Sequence, residues 1–142
     1  MMSDSEPWLT LKRSFDDCME LLEDPTREVY VAVRGADVLG FVILNMNGAF
    51  VGYIQTICVL EHERSRGIGA RLIDYAEKRI FRDSPNVFLC VSSFNPRARA
   101  LYERLGYERI GELKDYLVAG HSELLFRKTI SPIRDFRRQP KL

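Results

Sequence analysis

Little in this chain invites metal or disulfide chemistry. Its three cysteines, Cys18, Cys58 and Cys90, are odd in number, lack C-x-x-C spacing and sit in apolar or helical settings, which argues against both a disulfide framework and a zinc site. Only His62 and His121 could add imidazole ligands, so no metal is expected. Charge of either sign is not in excess: 21 basic residues against 20 acidic ones leave a net charge of +1, which excludes an electrostatic grip on nucleic acid over the whole domain. No apolar run approaches the ~20 residues of a membrane span. The opening Met1-Met2-Ser3-Asp4-Ser5-Glu6 is acidic, unlike a signal peptide, so the expectation is a cytoplasmic protein without a membrane partner. Repeats and low-complexity linkers are absent as well.

What remains is a chain of 142 residues, 46% hydrophobic, able to bury roughly two thirds of its unfolded surface without staples. Phe15, Met19 and Leu22 give a short amphipathic helix near residues 12 to 23, closed by Asp24-Pro25. Val29 to Val33 and Val38 to Leu44 flank Arg34-Gly35-Ala36-Asp37 as a hairpin, and a third strand covers about residues 49 to 60. A helix then reaches about Phe81, the apolar run Val87 to Val91 suits a buried central strand, a helix follows Asn95, and two closing strands surround Ala119-Gly120. Strand, helix, strand, helix implies parallel neighbours in the middle, with hairpins on either side making the sheet mixed. The fold class is α/β with a mixed sheet, in one domain over residues 1–130, followed by a basic tail over 131–142. Sixteen of the basic residues are Arg, several of them in that tail, which reads as solvated, with contact to an acidic partner as the sharper alternative.

Between the third strand and the second helix lies Arg64-Ser65-Arg66-Gly67-Ile68-Gly69-Ala70. Ile68, Leu72, Ile73, Ala76 and Ile80 fall at helical spacing, so the glycines occupy a strand-to-helix turn. Gly67 and Gly69 lack a Cβ, which lets backbone N–H groups approach an anion at the positive end of the helix, with Arg64 and Arg66 adding charge. A plain turn is the alternative reading. Two phosphate motifs are excluded: a dinucleotide fingerprint needs a third Gly where Leu72 stands, and a P-loop needs a closing Gly-Lys-Ser/Thr.

A second motif follows in Asn95-Pro96-Arg97-Ala98-Arg99-Ala100-Leu101-Tyr102-Glu103-Arg104-Leu105-Gly106-Tyr107. Asn95 is a good N-cap, Pro96 suits the first helical position, Ala98, Leu101, Tyr102 and Leu105 form one stripe, and Gly106 is a fitting C′ residue. Tyr102 is either a core tyrosine or one that faces a ligand; a buried hydroxyl needs a partner, which makes the second reading at least as natural.

Taken together, R-x-x-G-x-G followed by Ala70, and N-x-x-A-x-x-x-Y-x-x-x-G-Y, resemble the two signatures of the GNAT superfamily of N-acetyltransferases, over roughly residues 28 to 130. The resemblance implies acetyl-coenzyme A as co-substrate, its pyrophosphate held at Arg64, Ser65, Arg66, Gly67, Ile68, Gly69 and Ala70. Its pantetheine arm would lie between two splayed parallel strands against Ile57, Cys58 and Val59, near Asn95 and Tyr102. It implies direct attack by a primary amine on the thioester, N–H groups around Ile57 to Val59 steadying the developing oxyanion, and Tyr102 as general acid. The apolar settings of Cys58 and Cys90 argue against a covalent route.

The base is less legible. Family members often carry Glu or Asp where Gln55 stands, and ribosomal-protein alanine acetyltransferases, which the chain resembles in outline, carry Glu at the position of Cys90. Asp115, His121 and Glu123, or a water chain, are the remaining candidates, and the hairpin that bears them is expected to border an acceptor pocket for a small-molecule or peptide amine. Two other functions are carried beside the enzyme: a module that senses acyl-coenzyme A without turnover, and an interaction protein using the Arg-rich tail. The family's first strand is expected to be short or missing here, which leaves a sheet edge to cover and suggests a homodimer.

Overall fold

The computed structural model describes residues 1–140, so Lys141 and Leu142 of the basic tail lie outside the described residues. Its elements run α1 (Phe15–Glu23), β1 (Arg27–Arg34), β2 (Asp37–Asn45), β3 (Tyr53–Val59), α2 (Ile68–Ile80), β4 (Asn86–Ser92), α3 (Pro96–Arg104), β5 (Glu108–Lys114) and β6 (Ser122–Thr129). The six strands form one sheet in the order β1-β2-β3-β4-β6-β5, antiparallel at every pairing except β3 with β4. The mixed sheet expected from the strand–helix alternation is therefore present, with β3-α2-β4 as its crossover unit.

Two boundaries differ from the sequence reading, each for a local reason. The first helix begins at Phe15 because Ser14 caps it: the Ser14 hydroxyl accepts from the Asp17 N–H at 3.1 Å and the Asp17 carboxylate accepts from the Ser14 N–H at 2.8 Å. The third strand starts at Tyr53, not near 49, because Gly48 and Gly52 adopt φ of 86° and 92° and turn the chain. Ahead of Ser14 the chain makes a run of turns, with Leu9, Leu11 and Arg13 N–H groups donating to Ser5, Pro7 and Trp8. Among the described residues no strand precedes β1, which leaves β1 at one edge of the sheet and β5 at the other.

The larger core lies on the α2 side. Leu72, Ile73, Ala76 and Ile80 of α2 pack on Val42, Leu44, Ile54, Val87, Leu89 and Phe126, with Leu101, Tyr102 and Leu105 of α3 half-buried beside them. On the opposite face α1 and the N-terminal turns cover Phe41, Ile43 and Cys58 with Met2 and Cys18. No helix among the described residues is long and apolar enough to cross a membrane.

The sheet opens in the middle. β3 and β4 pair only at Tyr53↔Phe88 and Ile54↔Leu89, and beyond Ile54 they part. The β2–β3 register shifts at the same level, from Leu44↔Ile54 to Ile43↔Thr56, which makes Gln55 an extra, bulged residue. β4 meanwhile stays paired to β6 along its full length, from Asn86↔Thr129 to Ser92↔Glu123.

A polar clasp ties α2 to the sheet edge. Arg79 donates to both oxygens of Glu28 at 2.6 and 2.8 Å and to Asp83 at 2.7 Å, while the Tyr30 hydroxyl donates to Glu28. Burial raises the Glu28 carboxyl, but those bonds outweigh it and hold it below its ordinary value; Asp83 is lowered, first by its Arg79 bond. Both carboxylates therefore stabilise the fold above the unfolded carboxylate range, and that contribution is lost as pH falls through their depressed pKa values. Arg79→Met is expected to cost about 1–3 kcal/mol at pH 7, with the deficit shrinking below about pH 4, as urea melts at both pH values will read. At Gly52, a Cβ would stand 2.4 Å from the Asn86 carbonyl oxygen and 2.5 Å from Ile80 at a φ of 92°. Gly52→Ala is expected to cost about 2–4 kcal/mol. Gly35→Ala, with positive φ but open space around its Cβ, should cost about 1 kcal/mol, so the difference between the two melts isolates the clash.

Candidate active site

The opening between β3 and β4 leaves one side of β3 without a strand partner. Leu60 N–H donates to Leu39 O at 2.9 Å. Because N–H directions alternate along an antiparallel strand, Cys58 N–H also faces β2, while Ile57 and Val59 turn theirs to the open side. Of the three residues expected along this edge, then, Ile57 and Val59 line the cleft. Cys58 does not: its side chain is buried in the opposite layer against Met2 and Cys18, and burial pushes its thiol up to about 11. A thiolate nucleophile at Cys58 is unfavourable on both counts.

At the end of β3 a 3-10 turn, Glu61–Glu63, leads into the glycine loop. Ser65 and Gly67 take φ of 63° and 82°. Gly67 is the N-cap of α2 and offers no side-chain cap, the first turn carries no acidic side chain, and the first intrahelical bond is Arg71 N–H to Gly67 O at 3.1 Å. The N–H groups of Ile68, Gly69 and Ala70 are thus left for an external acceptor at the positive end of a 13-residue helix. Space for that acceptor exists, since a Cβ on Gly67 would meet nothing within 4 Å. Ile68 contributes through its backbone, its side chain being buried in the core.

The two expected arginines divide. Arg64 lines the cleft and donates through Nε to Val59 O at 3.2 Å. Arg66 does not line it: it lies 3.6 Å from Glu63, which also receives both Arg34 nitrogens at 3.1 and 3.2 Å. There the Arg34 bonds hold the buried Glu63 carboxyl below its usual range, and the two guanidinium groups on one carboxylate leave the loop net positive. Arg97 and Arg104 line the same cleft, and Arg97 donates to the Ser65 hydroxyl. Sequence reasoning missed both, although Arg97 lies two residues after Asn95 in a helix whose start was legible. The cleft measures about 870 Å³.

Asn95 caps α3 as expected, accepting from Ala98 N–H at 3.2 Å with Pro96 at the first helical position. Gly106 follows the helix at φ 90°. A second pocket of about 280 Å³ adjoins the cleft, lined in part by Gln55, Cys90, Glu123 and Tyr53, and Trp8, Ile57, Asn95, Ala98 and Tyr102 line both. Tyr102 therefore stands where the two spaces meet. Its ring lies edge-on to Tyr107 at 5.7 Å between centroids, and Tyr107 is itself fixed by a 3.0 Å bond to Glu77. Burial raises the Tyr102 pKa, so its hydroxyl keeps its proton at neutral pH.

In the second pocket Glu123 is buried, and burial raises its pKa against the opposing effect of a Ser92 hydrogen bond. Gln55 accepts from Arg27 Nε at 2.7 Å. Burial likewise raises the Tyr53 hydroxyl and the Cys90 thiol. Asp115 and His121 line neither space. Asp115 accepts from Gly120 N–H at 2.7 Å and so closes the β5–β6 turn, and the His121 ring packs edge-on against Phe94 at 4.8 Å. Trp8, Tyr53 and Tyr116 also line the pocket; Tyr116 belongs to the hairpin expected to border it, whereas nothing in the sequence singles out Trp8 and Tyr53 for it. Among the described residues no group of three or more His, Cys, Asp or Glu is placed to hold a metal.

Several known proteins are similar to this chain. An N-alpha-acetyltransferase of Saccharolobus solfataricus is 26% identical over 125 residues, covering 79% of this chain and 75% of its own length. A protein of Mycobacterium leprae with no assigned function is 36% identical over 104 residues, 70% of this chain but 28% of that longer one. The crystal structure of an aminoglycoside 6′-N-acetyltransferase complexed with coenzyme A superposes with a TM-score of 0.69 at 21% identity, over 92% of this chain and 89% of that one, which shows a common fold. Residues 2–107 match the acetyltransferase (GNAT) family, and the chain belongs to it.

Proposed function

We propose that this enzyme transfers an acetyl group from acetyl-coenzyme A to a primary amine by direct attack, with Glu123 as general base and Tyr102 as general acid. The observation that carries the proposal is the position of Tyr102, shared by a long cleft with an uncapped helix N-terminus and by a pocket holding a buried carboxyl group. The cleft suits coenzyme A on its own evidence: unpaired N–H groups at the start of α2, open space at Gly67, and Arg64, Arg97 and Arg104 along the walls. Coenzyme A supplies a thioester, so the amine nitrogen forms a bond to the acetyl carbon while the carbon–sulfur bond breaks.

The chain's residues handle the charges and protons of that exchange. Glu123, its pKa raised by burial, takes the proton that the attacking ammonium must shed, a better match to neutral pH than an ordinary carboxylate. N–H groups of Ile57 and Val59, turned to the open side of β3, face the carbonyl oxygen on which negative charge develops. Tyr102 gives its proton to the departing sulfur, and its phenolate recovers one from the nitrogen, which sheds its second proton on becoming an amide. The sulfur, not the amine, needs the acid, because the thiolate is the leaving group.

Acetyl-coenzyme A at ~100 times its dissociation constant should add about 2.7 kcal/mol to stability, a rise in Tm of roughly 8 °C for a chain of this size. In Gly69→Glu that rise should disappear, since a side chain there projects between Val59 and Leu101, both of which line the cleft; retention of the full shift would remove coenzyme A from the glycine loop. Tyr102→Phe should lower kcat by ~100-fold or more with the acetyl-coenzyme A shift intact. For Glu123, kcat/KM of the wild type should rise with pH through an acid limb above the ordinary carboxylate range, because the base must be deprotonated. Glu123→Gln should lower kcat by ~100-fold and erase that limb, and a limb that survives the substitution assigns the base elsewhere.

A further inference from the structure

The smaller pocket restricts the kind of amine it can take. We propose that the acceptor is a monoamine on an apolar, aromatic-sized arm, its ammonium group met by Glu123 and its arm held between Trp8, Leu11, Tyr116 and Leu117. This rests on the acetyltransferase reading above.

Charge is the first argument. Among the described residues Glu123 is the one carboxylate lining the pocket, and it is buried. One carboxylate matches one ammonium; a second cationic centre would lie against apolar wall without a counter-charge, at a cost of several kcal/mol if desolvated. The guanidinium of Arg27 sits one hydrogen bond behind Gln55, 2.7 Å from its Oε1, and adds repulsion to any second cation there. The pocket thus selects against polyamines and aminoglycosides by the same residues that favour a single ammonium.

The walls are the second argument. Tyr116 and Leu117, on the β5–β6 loop, are 60% and 42% exposed, though both line the pocket. Trp8 and Leu11, from the turns ahead of α1, face the same space from sequence more than 100 residues away. Apolar side chains converging from two separate segments on a concave site, exposed on one and half-buried on the other, describe a wall awaiting an apolar ligand.

An amine of this kind comes from two sources, a free arylalkylamine or the N-terminus of a peptide beginning with an apolar residue. The experiment compares 2-phenylethylamine, a tetrapeptide beginning with Phe, and spermidine in two ways: turnover, as coenzyme A thiol release, and binding, as the fluorescence of Trp8 titrated with coenzyme A saturating. Trp8 is the only tryptophan of the chain, so the signal has one origin. One of the two monoamines should exceed spermidine by at least ~30-fold in kcat/KM and in affinity, and which one does so identifies the source. Tyr116→Ala should raise KM for that monoamine by ~10-fold, whereas Leu117→Glu, which adds a second carboxylate at the rim, should move the preference toward spermidine by ~10-fold. Spermidine equal or better in both readouts overturns the proposal and leaves the acetyltransferase reading intact. Selective, saturable binding of a monoamine without thiol release from any amine supports the pocket assignment and sinks Glu123 and Tyr102 as base and acid. A fluorescence signal that no monoamine changes overturns the pocket assignment outright.

Discussion

The parting of β3 and β4 beyond Ile54 is the constraint on which the rest of the site depends. Two parallel strands joined by a helix ordinarily continue their ladder, but here it stops after two paired positions while β4 remains bonded to β6 over seven. The bulge at Gln55 bends β3 away from β4 at that level, and the ladder with β2 absorbs the extra residue. The cost is a row of unpaired backbone groups on β3, and a buried unpaired N–H is expensive. It is tolerable where a ligand or water can reach it, so the same feature that weakens the sheet defines the place where something must bind. The carboxyl ends of parallel strands, beside the start of the following helix, are also where α/β sheets generally hold their ligands.

Around that opening the molecule separates charges by sign. The long cleft carries Arg64, Arg97, Arg104 and the positive end of α2; Glu63, the acidic side chain of the preceding turn that lines the cleft, is paired with Arg34 and Arg66. Glu6 at the rim is likewise engaged, accepting from the N–H and hydroxyl of Thr10 at 3.2 and 3.0 Å. The adjoining pocket holds Glu123 instead. On the proposed mechanism an anionic co-substrate and a cationic acceptor occupy these neighbouring spaces and meet at Tyr102, whose pKa burial raises.

The backbone part of this arrangement was legible in the sequence, because it follows from local rules. Glycines at a strand-to-helix junction, an Asn-Pro helix start and a Gly stop each have a single conformational meaning, and Gly67, Asn95, Pro96 and Gly106 adopt it. Side-chain direction is a different matter. Cys58 belongs to the expected edge but faces the other layer because strand residues alternate, and the bulge at Gln55 sets the phase of that alternation. Arg66 stands in the expected loop but lies beside Glu63 and outside the cleft lining, and Glu63's other partner, Arg34, lies 29 residues away. Asp115 and Glu123, on one hairpin, separate into a turn cap and a buried pocket residue by a pairing register that no local pattern encodes.

The acceptor wall shows why specificity is harder to read than chemistry. Glu123 and the N–H groups of β3 are held by the sheet, and Tyr102 by α3, whose Ala98, Leu101 and Leu105 rest on the main core. Trp8 and Leu11 stand on turns that owe their place to a small second core, Met2 and Cys18 against Phe41, Ile43 and Cys58. Opposite them, Tyr116 and Leu117 stand on a loop pinned by the Asp115 cap. Substitutions in either wall reshape the pocket without disturbing the sheet, whereas substitutions at Gln55 or Ile54 shift the bulge and with it every donor beyond. On the proposed mechanism the residues free to change are those that would choose the amine, and the residues tied to the fold are those that would handle its proton.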